Sequence, residues 1–301
     1  MKVYVLPAHE DWVVDRFVKE WAESNSDITT FVPEEADVIW ILAGWCWRKL
    51  SPALLSKKKV VVTVHHVVPE KFDNLKLADF IERDKFVTAY HVYNQVTYDF
   101  VRSISKKPIQ ILQYWANQDV WKKTSDKTTL RNKYRLPLRA YIVGSFQRDT
   151  EGFDLKTPKL EKGPDLFADY VTKLHNKLGG HNLHVVLAGW RRQYVISRLK
   201  ENSVNFSYFE LPDQHTLNEL YQTLDLYPVT ARYEGGPQAL IECGLLDVPV
   251  VSRNVGIAPY VLPSESINDD VELAVPNVPS VELLKIPASF QRYRRFLETL
   301  P

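Results

Sequence analysis

The run from Tyr233 to Val251, YEGGPQALIECGLLDVPVV, decides the reading of the chain. It opens on a turn, Glu234-Gly235-Gly236, followed by Pro237. Proline suits the first position of a helix, because its missing N–H would have no partner there anyway. An apolar helix follows, carried by Ala239, Leu240, Ile241, Leu245 and Leu246. Asp247 breaks the pattern, and Pro249-Val250-Val251 begins a buried strand. Two residues without side chains thus precede a helix N-terminus. Backbone N–H groups converge there at the positive end of the helix, which suits a phosphate. Glu234 and Glu242, 8 positions apart, bracket that helix start and stand outside its apolar set. A carboxylate accepts two hydrogen bonds side by side, so it can hold a vicinal diol on ribose or a sugar ring. Gly-Pro turns are common, and on Gly-Gly-Pro alone a capped helix with two surface glutamates is the better reading. The whole stretch points instead to a nucleotide-sugar site.

Extended to EGGPQALIECGLLDVPVVSRNVG, the stretch resembles the donor-site motif of glycosyltransferase family 4, the group 1 glycosyl transferases, and of their GT-B relatives. The shared pattern is two glutamates at this spacing, a glycine-rich turn, a Pro-Val-Val strand and a glycine loop. Two departures stand out: Asp247 where the family usually ends the helix with glycine, and Tyr260 where it often has a glutamate. Aspartate tolerates left-handed geometry, so the first is mild. The resemblance implies an α/β chain of GT-B architecture, two Rossmann-like doubly wound domains facing across a cleft. It places an acceptor-side domain at 1–115, joined by a C-terminal helix at 287–301, and a nucleotide-sugar domain at 116–286.

Composition is compatible with this. The 301 residues are 45% hydrophobic and 25% charged, and 38 basic against 37 acidic residues leave a net charge of +1. The length suits two domains of about 150 residues. No global field argues for nucleic acid. The two cysteines, Cys46 and Cys243, imply no disulfide framework, so a cytoplasmic setting is expected. Met1-Lys2 leads into the short apolar strand VYVLP rather than a signal peptide, and no segment approaches the ~20 apolar residues of a membrane span. A peripheral membrane contact stays open, and the oligomeric state is not legible.

The first half alternates strands and helices, the pattern of a parallel sheet. Strands are expected at Lys2–Leu6, Ala36–Leu42, Val60–Val64, Lys85–Tyr93 and Pro108–Leu112, with a helix from Trp12 to Ala22 and another capped by Asn94. No GxGxxG follows the first strand, which argues against a dinucleotide oxidoreductase. Glu10 and Asp11 could hold acceptor hydroxyls, or Asp11 could cap the helix. Trp45 and Trp47 follow the second strand; they suit a sugar-stacking platform or core packing equally. His65 and His66 end the central strand. The resemblance gives His65 the role of reaching the donor sugar near the reacting carbon, and His66 replaces the family's aspartate.

In the second half, strands are expected at Ala140–Gly144, Leu183–Ala188, Phe206–Leu211 and Leu224–Val229, and helices at Thr128–Tyr134, Leu166–Lys177, Thr216–Thr223 and Ala288–Leu300. The resemblance assigns Arg148 and Lys162 to the diphosphate. A fixed guanidinium beside a developing phosphate charge is the electrostatic help such chemistry needs. It sets Gly189, Trp190 and Leu211 beside the nucleotide, Trp190 stacking on the base or packing in the core. With them go Glu234, Gly235, Gly236, Pro237, Gln238 and Glu242, Glu234 on sugar hydroxyls and Glu242 on ribose. The implied activity is retaining transfer of a sugar from a nucleotide diphosphate sugar to an acceptor hydroxyl, on a glycan, a lipid-linked or a small molecule, with no cofactor and no metal required. The alternatives are a nucleotide-sugar epimerase or hydrolase on the same fold, or a non-catalytic nucleotide-sugar-binding protein.

Overall fold

A computed structural model describes residues 1–10 and 13–301. Asp11 and the helix start expected at Trp12 lie outside the described residues. The chain divides into two units, Met1–Trp115 with Leu284–Pro301, and Ala116–Leu283.

The first unit runs β1 (Val3–Val5), α1 (Val13–Ser24), β2 (Val38–Ile41), α2 (Pro52–Leu55), β3 (Lys59–Val64), α3 (Asn74–Asp84), β4 (Ala89–Val92), α4 (Gln95–Ile104) and β5 (Ile109–Ile111). Its five strands are parallel and ordered β1-β2-β3-β4-β5. Runs of β-branched residues such as Val60-Val61-Val62 form its centre because both faces of a parallel sheet are covered. On the other side of β1, Val3 forms a parallel bridge to Thr29. Both neighbours of β1 therefore come after it in the chain, and the strand order reverses there. Side chains cap the helices as the sequence allows: Asp73 accepts from the N–H of Lys76, and Asn94 from that of Thr97. The strand expected from Lys85 begins only at Ala89, because Lys85 is the C-cap of α3.

The second unit runs α5 (Lys127–Lys133), β6 (Tyr141–Ser145), α6 (Pro164–Leu178), β7 (Leu183–Ala188), α7 (Gln193–Glu201), β8 (Phe206–Phe209), α8 (Gln214–Gln222), β9 (Tyr227–Val229), α9 (Gln238–Leu246), β10 (Val250–Ser252) and α10 (Ala258–Val261). β6, β7 and β8 form one parallel ladder, and β9 and β10 another. A parallel bridge between Val143 and Leu226 joins them, with Gly144 N–H donating to the Leu226 carbonyl at 3.0 Å. Read across, the order is β8-β7-β6-β9-β10. This is a doubly wound sheet whose order reverses between β6 and β9, and open α/β sheets bind ligands outside the carboxyl ends of the strands at such a point.

The last helix, α11 (Ala288–Glu298), belongs to the first unit. Its Tyr293 packs on Trp40 and donates to the Gln113 carbonyl at 3.0 Å. Beside it a buried chain of hydrogen bonds crosses three strands. Trp40 Nε1–H donates to Thr63 Oγ1 at 2.9 Å, and Thr63 Oγ1 lies 2.9 Å from His91 Nδ1. His91 Nε2 lies 2.9 Å from the Leu112 carbonyl, which can only accept. Nε2 therefore carries the proton, and Nδ1 accepts from the Thr63 hydroxyl. Burial holds the neutral ring, with its pKa pushed down to about 3.

Candidate functional site

The loop after β6 and the loop after β9 leave neighbouring strands at the reversal, and they are tied together. Lys162, just before α6, forms an ion pair with Glu234. The Lys162 carbonyl accepts from Gln147 Nε2 at 2.9 Å. Arg232 grips Asp165 with two nitrogens, at 2.8 and 2.6 Å, and its N–H donates to the Glu161 carbonyl. Gly163 allows this closeness: it sits at φ +63°, and a Cβ there would lie 2.0 Å from the Thr230 carbonyl oxygen. The Thr230 hydroxyl closes the seam by donating to the Gly163 carbonyl at 2.9 Å. Lys162 and Glu234, expected separately on the diphosphate and on sugar hydroxyls, thus meet at the carboxyl end of the sheet.

Two Gly-Pro steps begin the helices that follow these loops. No side chain caps α6 or α9 at its N-terminus. Pro237 is the N-cap of α9 and not its first helical residue, so the helix opens on Gln238. Gly235, Gly236 and Pro237 are buried, and Glu234 and Gln238 are half-buried. Gly256, at φ +57°, packs its α-carbon against this turn, where a Cβ would meet Pro237 Cδ at 2.7 Å. Asp247 ends α9 in the left-handed region, at φ +56°. Glu242 is buried on the inner face of α9, and Tyr221 Oη–H donates to its Oε2 at 2.6 Å. Tyr221 sits in an aromatic cluster with Phe146, Tyr227 and Trp121.

The third contribution comes from the end of β7. Gly189 takes φ +101°, and Trp190 follows with 51% of its surface exposed. Two guanidinium groups lie over its indole, Arg148 at 5.6 Å and Arg191 at 5.2 Å from the ring centroid. Burial and the neighbouring Arg191 both lower the pKa of Arg148, from a range so high that it stays charged. Arg148 Nε donates to the Thr150 carbonyl at 2.8 Å. Below it, Asp149 and Arg192 form a fully buried ion pair at 3.0 Å, and Arg192 also donates to the Ala188 carbonyl and to Ser145 Oγ, both at 2.9 Å. Desolvation pushes the Asp149 carboxyl up, against the pull of Arg192. This pair fixes the β6 loop to the end of β7. Leu211 lies past β8 at φ +44°, exposed.

In the first unit the expected acceptor-side residues separate. Trp47 is buried in the core, its Nε1–H donating to Asp79 at 3.1 Å, so it forms no platform. Trp45 is half-exposed, its indole 5.9 Å from the ring of His65 and its Nε1–H donating to Glu10 Oε1 at 2.9 Å. His65 Nε2 donates to the Leu42 carbonyl at 2.8 Å, and Nδ1 lies 3.0 Å from the Tyr114 hydroxyl. His65 and His66 line a pocket of about 680 Å³ with Trp45. Sequence reasoning missed Asp15, whose carboxylate accepts from the N–H groups of Ala8, His9 and Glu10 at 3.0, 2.9 and 2.8 Å. It also missed Gln147, Tyr221 and Arg191. The Arg191-Arg192 doublet was a signal for the last; nothing in the sequence marks the other two.

Residues 155–280 match the family of glycosyl transferases group 1. That segment runs from the loop after β6 past β10 and α10, and contains Lys162, Glu234 and Glu242. No curated protein sequence matches the chain. Among solved structures, Anabaena HepE, in a crystal structure with UDP and glucose, is similar at a TM-score of 0.75 and 12% identity over 99% of both chains. A glycosyltransferase of Rickettsia africae is similar at 0.60 and 13% identity, over 99% of this chain and 98% of that one. Sucrose-phosphate synthase of Thermosynechococcus elongatus is similar at 0.59 and 14% identity, over 94% of this chain and 68% of that one. The shared fold is GT-B. Among the described residues no group of three or more His, Cys, Asp or Glu side chains is placed to hold a metal, and no helix is long and apolar enough to cross a membrane.

Proposed function

We propose that this chain is a retaining glycosyltransferase that moves a sugar from a nucleotide diphosphate sugar to an acceptor hydroxyl, without a metal. The observation that carries the reading is the meeting of Lys162 and Glu234 at the β6–β9 reversal, with the uncapped starts of α6 and α9 beside them. HepE has been crystallised with UDP and with UDP-glucose, and on that likeness a UDP-sugar is the first donor to try.

In this reading the second unit binds the donor. Lys162, Arg148 and the helix starts carry the charge of the diphosphate. Glu234 leaves Lys162 for the sugar hydroxyls, Glu242 holds the ribose, and Trp190 stacks on the base. The bond between the anomeric carbon and the β-phosphate oxygen breaks, and a bond to the acceptor oxygen forms on the same face. The acceptor proton passes to the departing diphosphate. The first unit presents the acceptor, with His65, His66, Trp45 and Glu10 at the carboxyl ends of its strands.

The test has two stages. A thermal-shift screen of UDP and nucleotide sugars identifies the donor, because a ligand that binds only the native state raises the melting temperature. Nucleotide release is then measured with EDTA present, with and without a panel of hydroxylated acceptors, and the anomeric configuration of the product is read by NMR. Acceptor-dependent release and a retained anomer are expected. Release that ignores the acceptor marks a hydrolase, and absence of any nucleotide-dependent shift removes the donor site.

A further inference from the structure

We propose that the first unit carries a binding site for a small amphipathic anion, an apolar body bearing one phosphate or carboxylate, in the pocket between the end of β3 and α3. The cavity of about 680 Å³ is of the size that encloses a small organic ligand. Val67, Val68, Phe72, Phe80 and Phe100 are among the apolar residues that line it. Leu75 stands at its rim, 81% exposed, where a lone apolar side chain on a helix start has nothing of its own to cover it. A purely polar ligand would leave this wall unused.

One charged side chain is set into that apolar wall. Arg83 is 11% exposed; it donates from Nη1 to the Gly44 carbonyl at 3.1 Å, and its buried Nε has no hydrogen-bond partner. Its nearest acid, Asp79, is 4.0 Å away, and the other oxygen of Asp79 already accepts from Trp47 Nε1 and pairs with Arg48 at 2.9 Å. Of the other charges lining the pocket, Lys71 and Lys76 are cationic, and Asp73 caps α3 through the N–H of Lys76. The lining thus holds three cations against two acids, with Lys76 Nζ donating to the Lys71 carbonyl. A guanidinium so largely withdrawn from water, in a wall that is otherwise apolar, favours an anion as its counter-charge. On the glycosyltransferase reading the occupant is the acceptor, which would then carry an apolar anionic group next to its hydroxyl; the binding itself does not require transfer.

The probe is 1-naphthyl phosphate, titrated calorimetrically into the full chain with UDP present in excess, alongside 1-naphthol and inorganic phosphate. Binding of 1-naphthyl phosphate at least ten-fold tighter than either fragment is expected. Leu75→Glu, on an exposed position, should weaken it ten-fold or more, and Arg83→Gln should reduce it to the affinity of 1-naphthol. Equal affinities for 1-naphthol and 1-naphthyl phosphate would overturn the inference. So would binding that Leu75→Glu leaves intact, and that outcome keeps the test decisive should Arg83→Gln fail to fold. Neither result bears on donor binding, which the thermal-shift screen reads separately.

Discussion

Lys162 and Glu234 form an ion pair that joins the start of α6 to the loop after β9. The two charges neutralise each other before any ligand arrives. Under the donor-site reading, the diphosphate replaces Glu234 as the partner of Lys162 and releases the carboxylate toward the sugar. Glu234→Gln should therefore leave the Kd for UDP unchanged or lower it, while transfer falls by about 10²-fold or more. Lys162→Ala should weaken both. Equal loss of UDP affinity in the two variants would contradict this division of roles.

Tyr221 holds one oxygen of a buried carboxylate, Glu242, at 2.6 Å. Tyr221→Phe removes that donor and nothing else from the cluster. A lost hydrogen bond to a charged group costs about 1.5–3 kcal/mol, so UDP affinity should drop about ten-fold or more. The preference for UDP over its 2′-deoxy analogue should shrink with it. Calorimetry with both nucleotides checks this, and an unchanged preference would separate Glu242 from the ribose.

Trp190→Ala removes an exposed ring, so thermal stability should stay within about 0.5 kcal/mol of the parent. Nucleotide affinity should fall by about 1–3 kcal/mol if the indole stacks on the base. Sugar phosphates lacking a base should bind both forms alike.

Gly163 and Gly152 both take positive φ, at +63° and +71°, but only Gly163 faces backbone at 2.0 Å from an added Cβ. Gly163→Ala should destabilise the second unit by about 2 kcal/mol or more, through strain and the displaced Thr230. Gly152→Ala, with only the Asp154 side chain at 3.7 Å, should cost about 1 kcal/mol. Urea unfolding of the pair distinguishes conformation from collision.

His91 titrates near pH 3 when folded and near the ordinary histidine value of about 6.5 when unfolded. The unfolded chain therefore binds the extra proton between these limits. The stabilisation is complete above about pH 6.5 and is lost as pH falls toward 3, at up to about 1.4 kcal/mol per pH unit. Between pH 7 and 5, His91→Gln should lose about 2 kcal/mol less than the parent in urea unfolding followed by tryptophan fluorescence. Parallel losses would place the proton elsewhere.

Local chemistry made much of this legible. The β-branched run at Val60–Val62, the capping role of Asn94 and the glutamate spacing around Gly235-Gly236 each act within a few residues, and the strands and their order of types follow. Pairings across the sheet were not legible. Thr63 and His91 lie in register on adjacent strands, and no local pattern announces that pairing. Trp45 and Trp47 show the same limit at short range: the 3₁₀ turn Gly44–Lys49 sets residues two apart on different sides, so one indole is half-exposed and the other buried. α3 and α7 were not read as helices; α3 buries only Phe80, which leaves its apolar period faint. Glu242 stands out in the sequence by its spacing from Glu234, but its hydrogen bond from Tyr221, 21 positions away, does not.

Asp15 stands in the first turn of α1, just past the loop that follows β1. Three successive amides after β1 converge on its carboxylate, in the concave arrangement that elsewhere seizes phosphates from solution. Here the polypeptide supplies its own counter-ion, so that cradle is filled from within, and a substrate reaching the end of β1 meets no vacancy for an oxyanion.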